Sequence, residues 1–563
     1  MNTPNRTRVS LVLLMGLLFA ACTSPTSPQQ PPNIVFIMSD DHAYQAISAY
    51  SDKLIETPNI DRIAQQGMLF TNASVTNSIC APSRATILTG KHTHLNGKVD
   101  NHFAFDDSNI TFPQILQANG YQTAMFGKLH FGNNPKGFDE FKILPGQGAY
   151  WNPDFITKHQ GKIKVEGYAT DIITDFTLDW LANNRKEEQS FLLMYLHKAP
   201  HRAWYMADRH YDEFLNRKFE EPETLFEDYK TMGKAAEEAE MNILHHMGWS
   251  GDNKLSPETL EELNINEIGP DIVRYNGMLR RFTPAQRQAF EKAYRPIHEA
   301  FKAAYPQMDD KDKMHWKYQR YMQDYLGTIK AVDENVGKVL DYLEANNLMD
   351  NTIIVYTSDQ GFYLGEHGWF DKRFAYNESF KTPLLVAWKD RVQPGTVSDA
   401  LVQNLDFAQT FLDAANIKAP EAMQGESLLP LLTQQGDWSR KSVYYHYYEY
   451  PAEHMVNRHY AIVTKDYKLI HYYFATDEWV LIDRGNDPLE QNNFYSDPSY
   501  AQVKADLHQK LKALRLKYKD SDELSNQYID QFLSSAASGK VYGLSKERAR
   551  EILMQRQTAR ANN

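Results

Sequence analysis

The chain has 563 residues, a formal net charge of −12 at pH 7 and two cysteines, Cys22 and Cys80. The negative charge argues against nucleic acid as a partner, and 42% hydrophobic with 23% charged residues is the composition of an ordinary globular protein. The length allows a large core and a second subdomain.

The first predicted segment is an export signal. Arg6 and Arg8 precede an apolar run that is too short to span a bilayer. Ala20 and Ala21, directly before Cys22, resemble the end of a bacterial lipoprotein signal, in which the cysteine is lipidated and becomes the mature N-terminus. An ordinary cleaved secretory signal is the alternative.

We therefore expect a signal peptide over residues 1–22 and a flexible tether over residues 23–31. The protein would then be exported and anchored to the membrane at Cys22, facing the periplasm or the cell surface. If Cys22 carries lipid, Cys80 has no cysteine left for a disulfide within the chain.

Four short apolar runs predict buried β-strands, each followed by side chains of a catalytic type. Because the runs are continuous rather than alternating, they favour a mostly parallel sheet with helices on both faces. Helical stretches such as residues 59–68 and 175–184 support an α/β sandwich, which binds ligands beyond the carboxyl ends of its strands. The polar residues after the four runs are Asp40 and Asp41, Lys128 and His130, His197, Lys198 and His201, and Asp359 and Gln360. We expect these ends to converge on one crevice.

A charged, helix-rich segment follows the third of these strands. We expect a helical insertion over about residues 205–320, with charged faces that lie in solvent or shape a substrate mouth. The segment after it has apolar side chains at every third or fourth position, which predicts a core-facing helix. These positions are Tyr325, Ile329, Val332, Val336, Val339 and Leu343.

The pattern changes after Gly436. Four short aromatic and β-branched runs predict a four-stranded antiparallel sheet, and residues 501–518 predict an amphipathic helix packed against it. We expect a C-terminal α+β subdomain over residues 437–520 and a helical tail over residues 521–563.

A short motif around Cys80 gives the first indication of an activity. Cys80, Pro82, Ser83 and Arg84 form the pattern C-x-P-S-R, followed by ATILTG. This segment resembles the signature of type I sulfatases, and the resemblance extends through most of the chain after the tether. It implies an alkaline-phosphatase-like α/β sandwich with a catalytic domain over residues 32–436. Taken alone, the motif would also fit a small buried cysteine.

In that family the cysteine is converted after translation to formylglycine (3-oxoalanine), and the hydrated aldehyde is the nucleophile. The resemblance therefore implies that Cys80 is kept as the precursor of an aldehyde. It also implies a formylglycine-generating maturation enzyme as a partner of this chain.

The same resemblance implies a metal site. A sulfate ester is an anion, so an attack on its sulfur needs neutralisation of charge, which a divalent metal supplies; hard oxygen ligands suit Ca²⁺. Gln360 stands where the family commonly has Asn, and its amide oxygen can still bind the ion. Taken alone, Ser-Asp-Asp also fits a helix cap or a turn. The expected ligands of one Ca²⁺ are Asp40, Asp41, Asp359, Gln360 and residue 80.

Cationic residues complete the implied site. Arg84 is expected to hold the aldehyde hydrate. GKLH resembles the family's G-K-x-H, which makes Lys128 a sulfate ligand and His130 a contact to the formylglycine. WFDKRFAYNES resembles the family's K-x-x-x-Y-E-x-S and makes Lys372 the last sulfate ligand, although it departs at Asn377, where the family usually has Glu.

HKAPH resembles a family segment that ends in Pro-His. His201 is therefore the expected acid that protonates the leaving alcohol, a role that suits a titrating imidazole; His197 is the second choice or a structural residue. In the implied cycle the metal-bound hydrate attacks sulfur and the alcohol leaves. The covalent sulfate hemiester then collapses to the aldehyde when a base, His130, takes the second hydroxyl's proton.

Three segments indicate the substrate class. GFYLGEHGWFDKRF, ILPGQGAYWNPDF and HKAPHRAW resemble bacterial N-acetylglucosamine-6-sulfatases, so the expected substrate is 6-O-sulfated N-acetylglucosamine in glycosaminoglycan or mucin glycans. The alternatives are an algal polysaccharide such as ulvan or carrageenan, a phosphate or phosphonate monoester, and an inactive glycan-binding lipoprotein. The residues expected to line a carbohydrate pocket are His197, Arg202, Trp204, His367 and His454, with core packing as the alternative for Trp204.

Overall fold

The computed structural model describes Met1 and residues 30–267, 269–539 and 544–561. The expected signal peptide with Cys22, and the tether up to residue 29, lie outside these residues. Among the described helices, none combines the length and the apolarity that crossing a bilayer requires.

The strands of the described residues form two principal sheets. In chain order they are β1 (Asn33–Ser39), β2 (Met68–Phe70), β3 (Ala73–Ser74), β4 (Gln122–Lys128), β5 (Glu140–Leu144), β6 (Asp154–Thr157), β7 (Gly161–Lys164), β8 (Phe191–Leu196), β9 (Thr352–Ser358), β10 (Tyr363–Leu364), β11 (Phe370–Asp371), β12 (Leu384–Trp388), β13 (Thr396–Ser398), β14 (Val402–Gln403), β15 (Val443–Tyr447), β16 (His459–Val463), β17 (Tyr467–Tyr472) and β18 (Glu478–Asp483).

The larger sheet has ten strands in the order β13-β2-β12-β9-β1-β8-β4-β5-β6-β7. Its centre, β9-β1-β8-β4-β5, is parallel, with Ser39 opposite Ser358 and Met38 opposite Leu196. Strands β12 and β6 run antiparallel to their neighbours. The expected mostly parallel sheet is confirmed, and the four strands before the catalytic residues end at the same edge.

Helices cover both faces of this sheet. In chain order the α-helices are α1 (Pro58–Gln65), α2 (Cys80–Thr89), α3 (Thr93–Asn96), α4 (Phe112–Ala118), α5 (Ala169–Asp179), α6 (Tyr211–Phe214), α7 (Lys234–Glu237), α8 (Ile243–His246), α9 (Pro257–Glu262), α10 (Gly269–Leu279), α11 (Pro284–Ala304), α12 (Asp310–Ala345), α13 (Asn377–Phe380), α14 (Phe407–Ala414), α15 (Leu429–Leu432), α16 (Ala501–Lys517), α17 (Asp522–Ala537) and α18 (Lys546–Ala561).

Alternate residues of β1 enter two different cores, as a sheet buried on both faces requires. Val35 and Ile37 pack with α1, α5 and α12 on one face. Ile34 and Phe36 pack with α2, α4 and α14 on the other. The long helix α12 carries the apolar positions expected from the sequence, and they are fully buried.

The smaller sheet is antiparallel in the order β15-β16-β17-β18, as expected. One face packs on the segment around Trp369 and Phe374. Leu507 and Leu511 of α16 cover the other face. Helix α17 packs through Phe532 near Phe103 of the catalytic part.

Candidate active site

The carboxyl edge of the large sheet gathers three buried carboxylates. Asp40 and Asp41 follow β1, and Asp359 follows the adjacent parallel strand β9. All three are fully buried, and one oxygen of each lies within 4.8 Å of the others. The amide of Asp41 donates to Asp359 Oδ1 at 3.1 Å, which fixes the two strand ends together.

This donor set fits a hard divalent cation. Two buried oxygens, Asp40 Oδ1 and Gln360 Oε1, have no hydrogen-bond partner among the described residues. Burial and the neighbouring Asp40 raise the pKa of Asp359 to about 7, while burial raises the pKa of Asp41 to about 6. Carboxylate and amide oxygens of this kind are the ligands that Ca²⁺ prefers, so Asp40, Asp41, Asp359 and Gln360 fit the expected ion.

Cys80 lies at the first turn of α2, directly beside these carboxylates. Its Sγ lies within 4.8 Å of a ligand atom of both Asp40 and His201. Burial and the nearby Asp40 raise the pKa of the Cys80 thiol well above its usual value. An unmodified thiol in this environment stays protonated and is a poor nucleophile.

Three cations hold the carboxylates, and two of them also face the sulfur. Arg84, one turn along α2 from Cys80, donates from Nε to Asp359 Oδ2 at 2.9 Å. Lys128 contacts Asp40 and lies 3.9 Å from Cys80 Sγ. Lys372 contacts both oxygens of Asp41, at 2.5 and 2.6 Å, and lies 3.5 Å from Cys80 Sγ. These two ammonium groups therefore lie where the sulfate ligands were expected.

The two expected acid–base histidines are neutral in this setting. His201 Nδ1 lies 2.6 Å from the carbonyl oxygen of Arg202. Because a carbonyl oxygen can only accept a hydrogen bond, Nδ1 is the donor. The Nε2 atom of His201 lies 3.8 Å from Asp41 Oδ2. Burial and Lys128 hold the pKa of His201, and also that of His130, well below the usual value. The Nδ1 of His130 is buried with no hydrogen-bond partner among the described residues.

A cavity of about 380 Å³ leads from Cys80 to the surface. Among the expected carbohydrate-binding residues, Arg202 lines it. His454 lies beside it, with Nε2 at 3.2 Å from Asp371 Oδ2 and near Arg202 Nη1 at 3.4 Å. Arg202 therefore borders the space that a sugar would fill, and His454 contacts two residues of the lining.

Three other expected carbohydrate-binding residues do not line this cavity. His197 follows β8, packs edge-to-face against Tyr195 at 4.3 Å between ring centroids and is fully buried. Trp204 is fully buried against Tyr321, at 4.6 Å between ring centroids. His367 is enclosed by the aromatic cluster around Trp369. The physical reason is the same for each: the ring is surrounded by core side chains and does not line the cavity.

Several lining residues were missed by the sequence analysis. Lys198 was recognised as following a strand but received no role. Arg274 and Arg281 come from α10 and the turn after it, where no local pattern marks a site. Asp371 and Arg373 flank Lys372 in the sequence. Their position next to a predicted sulfate ligand is a signal that could have suggested them.

We expect Trp204→Ala to destabilise the fold rather than to abolish substrate binding. Loss of a fully buried Trp lowers the free energy of unfolding by about 3–5 kcal/mol, seen as a lower Tm. Trp204→Phe keeps most of the packing, and we expect its KM to match that of the unmodified protein. A raised KM with an unchanged Tm for Trp204→Phe would return Trp204 to the substrate-binding set.

Two family models and a named relative match this chain. The family model described as sulfatase matches residues 32–417, and the model described as N-sulphoglucosamine sulphohydrolase, C-terminal, matches residues 365–517. The N-acetylglucosamine-6-O-sulfatase of Bacteroides thetaiotaomicron is 46% identical over 521 residues, which cover 91% of each chain.

Solved structures of other proteins resemble the fold of this chain. One, a protein in complex with its substrate D-glucosamine-2-N,6-O-disulfate, matches with a TM-score of 0.82 and 46% identity, covering 88% of this chain and 99% of that one. A phosphonate monoester hydrolase from Silicibacter pomeroyi matches with a TM-score of 0.61 and 19% identity, covering 86% and 96%, and shares the fold. The chain is therefore a member of the sulfatase family and a sulfuric ester hydrolase.

Proposed function

We propose that this chain removes the 6-O-sulfate from glucosamine units of a sulfated glycan, through a formylglycine made from Cys80 and with a bound Ca²⁺. The observation that carries the proposal is the position of Cys80, at the base of a cavity of about 380 Å³ lined by lysine and arginine side chains. The sugar comes from the relatives, one named for N-acetylglucosamine 6-O-sulfate and one bound to a 2-N,6-O-disulfate.

Cys80 is better suited to be a precursor than a nucleophile. Its thiol is buried and its pKa is raised, so it has little thiolate character near neutral pH. Asp40, Asp41, Asp359 and Gln360 would hold the Ca²⁺, which neutralises sulfate charge and favours ionisation of a hydroxyl group.

The remaining side chains bind the substrate and move protons. Lys128 and Lys372 face Cys80 Sγ and are placed to bind sulfate oxygens. The Nδ1–H of His201 is held by the carbonyl of Arg202, so Nε2 is the atom that exchanges a proton. An entering sulfate anion stabilises the imidazolium, and Nε2–H then protonates the leaving sugar alcohol. His130, whose Nδ1 has no hydrogen-bond partner in the part of the chain that the structure describes, would accept a proton in the second half of the reaction.

The test is sulfate release, measured by ion chromatography, from protein produced together with a maturation enzyme. We expect release from 6-O-sulfated N-acetylglucosamine and from glucosamine-2-N,6-O-disulfate, and little from 3-O- or 4-O-sulfated isomers. Phosphate release from a monoester without sulfate release would favour a phosphohydrolase instead. Tight binding of the sulfated sugars without any turnover would favour a glycan-binding protein.

The export signal adds a location to this proposal. We propose that the chain is exported and lipid-anchored at Cys22, and that it acts on glycan fragments at the periplasmic or outer face of a membrane. The support is the sequence around Ala20, Ala21 and Cys22 alone. Labelling with a fatty-acid analogue in the native host, lost in Cys22→Ala, would test it.

A further inference from the structure

The charges that line the cavity are almost fully paired. The lysine and arginine residues of the lining are Lys198, Arg202, Arg274, Arg281, Lys372 and Arg373. The ion pairs that these cations make are Arg202 with Asp252 (2.6 Å), Arg274 with Asp271 (3.0 Å), Arg281 with Asp154 (2.8 Å), Lys372 with Asp41 (2.5 Å) and Arg373 with Asp371. Lys198 is the exception: no carboxylate among the described residues forms an ion pair with it.

Lys198 is also buried. Its side chain is 4% exposed, and its ammonium lies 4.6 Å from the centroid of the Tyr150 ring. A ring face attracts a cation weakly, whereas a buried charge that forms no ion pair is unfavourable. The local structure fixes the residue, because Tyr150 OH donates to the carbonyl of His201 at 2.7 Å and the His201 amide donates to the carbonyl of Lys198 at 3.0 Å.

The surroundings of Lys198 place it at the reactive end of the cavity. Lys198 lines the same cavity as Cys80 and Lys372. Burial and the Lys128 ammonium lower its pKa to about 7, against the opposite effect of Asp40, Asp41 and Cys80. Burial has the largest effect, followed by the Lys128 ammonium. Each arginine of the lining forms an ion pair with a carboxylate, so among the described residues Lys198 carries the unpaired positive charge of the cavity that Cys80 also lines.

We propose that Lys198 is a substrate-binding residue whose ammonium binds the sulfate group under attack, together with Lys128 and Lys372. This rests on the proposed function, since it is the sulfate ester that brings the missing negative charge into the cavity. The bound anion would form an ion pair with a buried ammonium that pairs with no carboxylate of the described residues. The interaction is a charge-assisted hydrogen bond, which is among the stronger polar contacts in proteins.

The test is Lys198→Met, which keeps the length of the side chain and removes its charge. We expect KM for a 6-O-sulfated sugar to rise about 10- to 100-fold, the range for loss of one hydrogen bond to a charged group, with a smaller change in kcat. Lys198→Arg keeps the cation and should recover part of the loss. Lys142→Met is the matched control, because the Lys142 ammonium also lies over a ring, 4.2 Å from the Phe176 centroid, but does not line the cavity.

Binding of inorganic sulfate provides a readout that does not depend on turnover or on maturation of Cys80. We expect calorimetric titration to give a Kd about 10-fold or more higher for Lys198→Met than for Lys142→Met. Equal values for the two variants, with KM unchanged, would overturn the proposal. If Lys198→Met loses Tm, the comparison is made with Lys198→Arg and Lys198→Gln, which must then differ in sulfate affinity.

Two substrates distinguish the source of the anion. If Lys198 binds the sulfate under attack, its loss affects 6-O-sulfated N-acetylglucosamine and glucosamine-2-N,6-O-disulfate to the same extent. A loss confined to the disulfate would assign Lys198 to the 2-N-sulfate and overturn the proposal as stated. A parent protein that releases sulfate from neither sugar would contradict the proposed function, while the titration with inorganic sulfate would still decide the role of Lys198.

Discussion

Replacing Cys80 by alanine is expected to abolish sulfate ester hydrolysis, with kcat/KM lower by at least about 10³-fold, as for removal of a covalent nucleophile. The side chain is small and buried at the first turn of α2, so the change removes little packing and should leave Tm within a few degrees. Steady-state sulfate release and a thermal melt check both parts.

The other cysteine supplies the matched control. Cys22→Ala should retain full activity in the purified protein, because Cys22 precedes the catalytic part of the chain. Mass spectrometry of the tryptic peptide around residue 80 in the parent protein should show the mass deficit of a thiol replaced by an aldehyde. A fully active Cys80→Ala protein would place the nucleophile on another residue.

Removal of Ca²⁺ is expected to have the second-largest effect. Oxygen atoms of three buried carboxylates lie within 4.8 Å of one another, and an ion that binds only the folded chain stabilises it. Chelation should therefore eliminate activity and lower Tm, and added Ca²⁺ at 100 times its Kd should restore about 2.7 kcal/mol of stability. The apparent affinity for Ca²⁺ should fall as the pH falls through about 7 to 6, because protons compete at Asp359 and Asp41.

Asp359→Asn should lose both the activity and most of the Tm shift on adding Ca²⁺. Asp333→Asn is the control: Asp333 is a buried carboxylate that accepts from the amides of Asn59 and Ile60 at the start of α1, at 3.0 and 2.9 Å. That variant is expected to melt lower and to keep the Ca²⁺-dependent shift. An Asp359→Asn protein with an unchanged shift would exclude this carboxylate as a ligand.

The sequence predicts the catalytic edge well for a simple reason. Each of β1, β4, β8 and β9 is a continuous apolar run, and parallel strands bring the residues after them to one edge. Asp40, Lys128 and Asp359 therefore meet although they are far apart in the chain. The smaller sheet was predicted as well, because its alternation and turns are local signals.

The differences between the sequence analysis and the structure come from two causes. One is the direction of side chains at a strand end, and the other is packing between segments far apart in the chain. His197 and Lys198 are neighbours at one strand end, and successive side chains point to opposite faces, so only Lys198 enters the cavity. Nothing in the sequence shows which of the two does so. Arg274 and Arg281 reach the site because the helical insertion packs over it, and that packing depends on tertiary contacts that no short pattern encodes.

The polypeptide enters the large sheet at the edge opposite the cavity. The carbonyls of Pro31 and Pro32 accept from Ser190 Oγ at 2.5 Å and from Tyr121 OH at 2.9 Å, beside the amino ends of β8 and β4. At about 3.3 Å per residue, β1 separates this edge from Asp40 by roughly 20 Å. With the proposed anchor at Cys22, the lipid surface would lie upstream of the edge opposite the cavity, so the opening would be free to face the water. The substrates of the protein can then be soluble fragments that diffuse past, and need not be attached to the same surface.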